Sequence, residues 1–185
     1  MSWTQSYTGK AIYPLNFTVD MIDIEDIAHS LSNQCRYNGH CLSFYSVAQH
    51  SVLVARLLKE WGEPRQVQLT GLLHDAGEAY VSDIVRPLKK ALGKVIDDIE
   101  EPIIQLIMNK FNGIYPLPDV VKRADEVLLS TEKRDLMSPE PQSWYLTQAP
   151  ADWKIDPKYP DVSKDMFMAQ FAKLAEGHFY RRGRL

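Results

Sequence analysis

The sequence predicts an all-α chain: a helical bundle followed by a loop-rich C-terminal third. Three observations carry that prediction. Apolar residues recur at helical spacing along most of the chain, while the alternation of a half-buried strand is scarce. Capping or helix-opening residues stand directly before several apolar runs. Beyond Met137 the periodicity lapses and prolines accumulate, at Pro139, Pro141, Pro150, Pro157 and Pro160.

Taken in order, Asp23 is placed to cap a helix with Ile24, Ile27, Ala28 and Leu31 on one face. Ser46 is placed to cap the next, with Val47, Val54, Ala55 and Leu58 inward. Glu63-Pro64 reads as a helix start, because proline at the first helical position sacrifices no intrahelical bond. That helix, through Val67, Gly71 and Leu72, brings His74-Asp75 near its C-terminal end. Segment 94–111 is amphipathic through Val95, Ile99, Ile103, Leu106 and Ile107. Pro102 inside it is expected to kink or divide it. Pro118 opens a helix carrying Val121, Ala124, Val127 and Leu128, and a last helix carries Met166, Phe167, Phe171 and Leu174. We read residues 1–185 as one domain, with the motif-bearing part at 24–136.

The composition is that of an ordinary globular chain, 45% hydrophobic and 24% charged over 185 residues, enough for one real core. A net charge of −3 argues against a nucleic-acid partner, which selects for a basic face. Arg181, Arg182 and Arg184 read as a solvated tail. No apolar run reaches the roughly 20 residues that span a bilayer, and the N-terminus lacks a signal-peptide pattern. Cys35 and Cys41 fit neither a Cys-x-x-Cys pair nor a disulfide framework, so the expected compartment is a reducing cytoplasm with both thiols free and buried.

The chemistry concentrates at His74-Asp75, with Glu78 and Asp83 following closely. Such a cluster is expensive to bury unless a cation compensates it. His50 falls on the helix after Ser46, and Asp125 on the helix after Pro118. Three packed helices would aim two imidazoles and two carboxylates at one point. Adjacent residues on a helix point about 100° apart, so His74 and Asp75 can straddle an ion between them. The nitrogen–oxygen donor set suits cobalt, manganese or zinc, with iron or magnesium as further candidates, better than calcium. His40, in the turn after Gly39, competes with His50 as the first imidazole; we prefer His50 because it lies on an expected helix. His29 and His178 read as structural or exposed. Taken singly, each of these residues has an ordinary structural explanation, so the joint pattern carries the argument.

That pattern resembles the HD-domain phosphohydrolases, whose signature is a helix histidine, a His-Asp pair and a distant aspartate. The likeness extends to the stretches 33–40, 44–51, 74–80 and 83–89. There the chain is similar to small bacterial and prophage 5′-deoxynucleotidase-like proteins and to phage dATP triphosphohydrolases. It covers roughly residues 7–136 and touches the C-terminal part only weakly. The resemblance implies an HD-type helical bundle with His50, His74, Asp75 and Asp125 on a divalent metal. It implies Glu78 and Asp83 as the acidic groups that serve the chemistry, and Arg36, with Lys89, on the substrate phosphate. His40 is a further candidate near the substrate, and Tyr80 and Pro87 candidates beside a base or sugar.

The expected reaction is hydrolysis of a deoxynucleotide at its 5′-phosphoester. It releases deoxynucleoside with phosphate from a dNMP, or with tripolyphosphate from a dNTP such as dATP. Glu78 would orient water or take its proton, and Asp83 would handle the proton of the leaving oxygen. Arg36 offers a planar fork suited to phosphate. The competing structural readings are a surface glutamate, a helix-capping aspartate and a solvated loop arginine. Two other functional classes compete: an HD hydrolase of a cyclic nucleotide or alarmone, and a non-catalytic nucleotide sensor. The expected partner is a small nucleotide. The resemblance leaves room for a homo-oligomer, though no apolar stripe identifies an interface.

Overall fold

The capping residues set the helix starts in the computed structural model, which describes residues 2–175. Asp23 caps α1 (Ile24–Asn33), accepting the Glu25 N–H. Ser46 caps α2 (Val47–Glu60), accepting the Gln49 N–H at 3.1 Å. Pro64 and Pro118 stand at the N-caps of α3 (Arg65–Leu73) and α7 (Asp119–Leu136). Between them lie α4 (Glu78–Val81), α5 (Arg86–Leu92) and α6 (Lys94–Phe111); α8 (Pro160–Ala175) closes the described chain. Among the described residues the named strands are one small antiparallel pair, β1 (Thr4–Gln5) with β2 (Ala11–Ile12). The fold is all-α.

Pro102 does not divide α6, which runs through it as one helix. The carbonyl it leaves without an amide partner belongs to Asp98, and both residues are exposed, so water can satisfy that carbonyl. The helix stops instead at Asn112, in the left-handed conformation at φ 62°.

Buried on nearly every side, α2 packs on α1, α3, α7 and α8. One apolar cluster joins it to α1, α3, α6 and α8 through Ile27, Leu31, Val47, Leu72, Ile103, Ile107 and Phe167. A second joins it to α7 and the following segment through Tyr45, Val54, Leu58, Val121, Leu128 and Ile155. This central position leaves His50 with 0% exposure.

Gly71 sets the spacing of α2 and α3. A Cβ there would meet Leu58 Cδ1 at 2.3 Å and Val54 Cγ1 at 3.2 Å, both on fully buried side chains. Gly71→Val is expected to overpack this contact and destabilise the protein by about 1–3 kcal/mol. A fall in the urea midpoint at unchanged denaturant slope would show it; an unchanged midpoint would mean that the helices separate at little cost.

Residues 137–159 form no helix, as their prolines predict, yet they are tied down along α7. Ser130 Oγ donates to Gln148 O at 2.6 Å, Ala151 N to Thr131 Oγ1 at 2.9 Å, and Ile155 N to Asp135 Oδ2 at 2.8 Å. The thiols of Cys35 and Cys41 are free but only half-buried, not core residues as expected. His29 stacks on Tyr7 with ring centroids 3.8 Å apart, while His178, Arg181, Arg182 and Arg184 lie outside the described residues. No described helix is long and apolar enough to cross a membrane.

Candidate metal centre

α2, the end of α3, and α7 meet where their polar side chains converge. His50 Nε2 lies 3.3 Å from His74 Nε2 and 3.2 Å from Asp125 Oδ1. Asp75 closes the group, with Oδ1 3.2 Å from His74 Nε2 and Oδ2 3.6 Å from His50 Nε2. Ligand atoms about 2.0–2.2 Å from one ion, in tetrahedral or octahedral positions, stand about 2.8–3.6 Å apart. The donor set therefore fits a divalent transition metal in spacing as well as chemistry. His50, His74 and Asp125 are the tightest group, within 4.8 Å of one another. Asp75 sits at its edge with its oxygens divided between the two imidazoles.

Each imidazole is oriented through its other nitrogen. His74 Nδ1 lies 2.8 Å from Gly71 O, and a carbonyl can only accept, so Nδ1 carries the proton and Nε2 is turned to the site. His50 Nδ1 lies 2.6 Å from Glu132 Oε1 in the same arrangement. Glu132 is wholly buried and its second oxygen receives Arg36 NH2 at 3.2 Å and the Tyr37 hydroxyl. Arg36 NH1 in turn reaches Asp75 Oδ2 at 3.5 Å. Arg36, Glu132, His50 and Asp75 thus form one continuous network.

The electrostatics follow from that network. Burial and Arg36 oppose charge on His50, but Glu132 and Asp125 outweigh them and raise its pKa to about 9. In metal-free protein near neutrality His50 then holds a second proton, which a metal must displace. Metal loading at pH 7.5 is expected to release about one proton, seen as a buffer-dependent heat in calorimetry. Heats independent of buffer ionisation would contradict it. Burial would raise the Asp125 carboxyl, but its hydrogen bond and attraction to His50 hold it far below the usual range.

Glu78 does not share a face with His74 as continuous α-helix would have it. From Leu73 the chain tightens into i→i+3 bonds, Ala76 N to Leu73 O and Glu78 N to Asp75 O. Residues three apart eclipse in such a turn. Asp75 and Glu78 therefore face the same cavity, which also receives Arg36, Asp83, Lys89 and Asp125 and measures about 740 Å³. Burial, then the Asp75 and Asp83 charges, push the Glu78 carboxyl well above its ordinary range. Asp83 is raised too, by burial and by Asp75 against the pull of Arg36.

The structure does not bring His40 to this cavity. It is exposed at the end of the Arg36–Gly39 turn, its N–H on Tyr37 O at 3.0 Å. That turn holds Tyr37 and Asn38 at φ 56° and 53°, conformations that side-chain-bearing residues rarely adopt. They aim Arg36 and Tyr37 inward and leave His40 outside. Lys89 lines the cavity while its ammonium is held by Glu100. Pro87 lines it as well; Tyr80 instead packs on Phe17 and accepts the Asp23 N–H.

Residues 47–130 match the family described as HD domain. The chain is also 39% identical over 180 residues to the uncharacterized protein YfdR of Escherichia coli K12, covering 95% of this chain and 97% of that one. The protein belongs to the HD-domain family. An uncharacterized protein of Rhodobacter capsulatus is 35% identical over 127 residues, 66% of this chain and 65% of its own length. Membership and the donor set together support a metal-dependent hydrolase.

Two residues of this HD-domain protein escaped the sequence reading. Glu132 sits in the charged run 132–135, which reads as solvated surface; its signal was that it falls two helical turns after Asp125, on the same face. Gln34 accepts the Asp83 N–H at 2.9 Å and donates to Glu78 O at 3.0 Å, so it staples both acidic residues in place. Glu132→Gln keeps an acceptor for His50 but removes the charge. It is expected to weaken metal binding about 10–100-fold, measured by competition with a chelator. Unchanged affinity would show that the carboxylate charge does not reach the metal. Glu132→Ala, which strands Arg36, is expected to cost about 3–5 kcal/mol of stability.

Proposed function

We propose that this HD-domain protein hydrolyses the 5′-phosphoester of deoxynucleotides. One observation carries the reading. Arg36 Nε and Glu78 Oε2 are buried polar atoms without a hydrogen-bond partner among the described residues, and both residues face the cavity above the metal ligands. Buried polar atoms are rarely left so, and an unmet donor beside an unmet acceptor matches a phosphate oxygen and a water. His50, His74, Asp75 and Asp125 would hold the metal, which when bound supplies charge neutralisation at the phosphate and acidifies water.

The chain's own groups do the rest. Arg36 orients the phosphate. Glu78 takes the proton of the attacking water. Asp83, whose carboxyl is raised by burial and by Asp75 against the pull of Arg36, gives a proton to the leaving 5′-oxygen. Gln34 keeps the two acids in register.

The charge balance favours a monophosphate. Five acidic side chains face the cavity, Asp75, Glu78, Asp83, Asp125 and Glu126, against Arg36, Arg86 and Lys89. All three cations already pair with acids, Arg86 with Asp125 at 2.6 Å. A tripolyphosphate leaving group would need more uncompensated positive charge than this.

The test is product analysis. Chelator-treated protein is reloaded with manganese, cobalt or zinc and offered each dNMP, dNTP and rNMP. Deoxynucleoside with orthophosphate is the expected result. Tripolyphosphate from dATP would make the chain a triphosphohydrolase. No product with any metal would overturn the reading in favour of another nucleotide or a sensor.

A further inference from the structure

The cavity carries two chemically different sets of side chains. Asp75 and Asp125, beside His50 and His74, join Arg36 and Glu78 as its charged part. Tyr37, Leu129, Trp144 and Leu146 line it with aromatic and apolar surface. Trp144 and Leu146 come from the irregular segment that follows α7, far in sequence from every metal-site residue except those on α7 itself.

The Tyr37 ring and the backbone that carries Trp144 are both held in place. The Tyr37 hydroxyl is anchored on buried Glu132, so its ring cannot swing away without breaking the network behind the metal ligand His50. The Trp144 backbone N–H donates to Glu140 Oε2 at 3.3 Å, and Glu140 pairs with Lys133 of α7 at 2.6 Å. On the far side Thr147 Oγ1 donates to Glu126 Oε2 at 3.3 Å, and Ser130 holds Gln148. The helix that supplies Asp125 and Glu132 thus also fixes the loop carrying Trp144. The Tyr37 and Trp144 ring centroids lie 5.9 Å apart with the planes inclined at 51°. Neither ring covers the other's face, and the indole is only half-buried.

We propose that Trp144 is a stacking platform for the nucleobase of a substrate whose 5′-phosphate lies at the metal ligands, with Tyr37 as the rigid side wall. The inference rests on the phosphohydrolase reading above and deepens it. A half-buried indole beside apolar side chains, in one cavity with charged groups that suit a phosphate, fits a planar heterocycle attached to that phosphate through a sugar. Stacking tolerates every base because each has a π-face, so the platform favours nucleotides over sugar phosphates without strongly selecting among the four bases.

The test compares two non-hydrolysable probes, the 5′-methylenephosphonate of deoxyadenosine and that of 2-deoxyribose. Calorimetry is run on metal-loaded wild-type, Trp144→Ala and Trp144→Phe proteins. Wild-type is expected to bind the nucleoside probe at least about tenfold more tightly than the base-less one, the size of one stacking contact. Trp144→Ala should erase that ratio and leave base-less binding unchanged; Trp144→Phe should restore part of it. A ratio preserved in Trp144→Ala, equal weakening of both probes, or no ratio in wild-type overturns the platform. Hydrolysis of deoxynucleotides continuing in those cases would leave the phosphohydrolase reading standing. Base-dependent binding without hydrolysis of any deoxynucleotide would do the reverse.

Discussion

Alanine in place of His74 or Asp75 is expected to abolish metal binding and turnover together. His74 presents Nε2 to the shared point because Gly71 O holds its other nitrogen. Asp75 supplies one oxygen toward each imidazole and balances Arg36. Removing it deletes negative charge where two imidazoles and a guanidinium crowd together. We expect less than a tenth of the wild-type metal content after dialysis, measured by mass spectrometry, with hydrolysis at background. Circular dichroism would show the helices retained, because both residues lie at the end of α3 and not in either apolar cluster. Asp75→Ala with full metal content and activity would remove Asp75 from the ligand set and leave His50, His74 and Asp125.

Glu78 gives the second large effect, in the opposite pattern. Glu78→Ala and Glu78→Gln are expected to keep the metal and lose about 10²–10⁴-fold in turnover, the usual contribution of a positioned proton-transfer group. Wild-type rates in either variant would remove Glu78 from the chemistry.

Stability gives an independent check on the same residue. Burial, Asp75 and Asp83 raise the folded-state pKa of Glu78 well above its unfolded value. Above the unfolded pKa of about 4.3 the unfolded chain gives up this proton while the folded chain holds it at a cost. Metal-free wild-type should therefore lose stability as pH rises from about 4.3 through the raised folded pKa. Glu78→Gln lacks that slope, so it should be the more stable protein at pH 8, with the gap closing toward pH 4. Parallel stability curves for the two proteins would show that Glu78 ionises freely.

The two results read together separate binding from chemistry. Metal lost with turnover marks a ligand; metal kept with turnover lost marks a proton-handling group. A sensor would lose metal in the His74 and Asp75 variants and show no turnover in any of the proteins.

Though the short α4 and α5 were not expected, local information was enough to start four of the helices. Asp23, Ser46, Pro64 and Pro118 mark their starts, because a cap or a proline acts on the backbone within one turn. Apolar spacing showed which face each helix buries. The resemblance carried by His50, His74-Asp75 and Asp125 pointed to the family, since that set of donors in that order is rarely accidental.

What the sequence could not show depends on distances between elements. Pro102 was expected to kink or divide α6; it does not divide the helix, because its freed carbonyl, on Asp98, is exposed to solvent. His40 and His50 compete on paper; two left-handed residues, Tyr37 and Asn38, turn the chain so that one histidine is exposed and the other is wholly buried. Glu132 reads as a surface charge until α2 packs on α7 and closes it over His50. The loop after Met137 has no periodicity to read, yet its hydrogen bonds to α7 place Trp144 over the cavity. Caps, faces and ligand order are properties of neighbouring residues, so the sequence by itself determined them. The partners of Glu132 are contacts across 80 residues or more, the exclusion of His40 is a turn of strained backbone, and the second wall of the cavity is an aperiodic loop laid along α7; only the packed helices decide those.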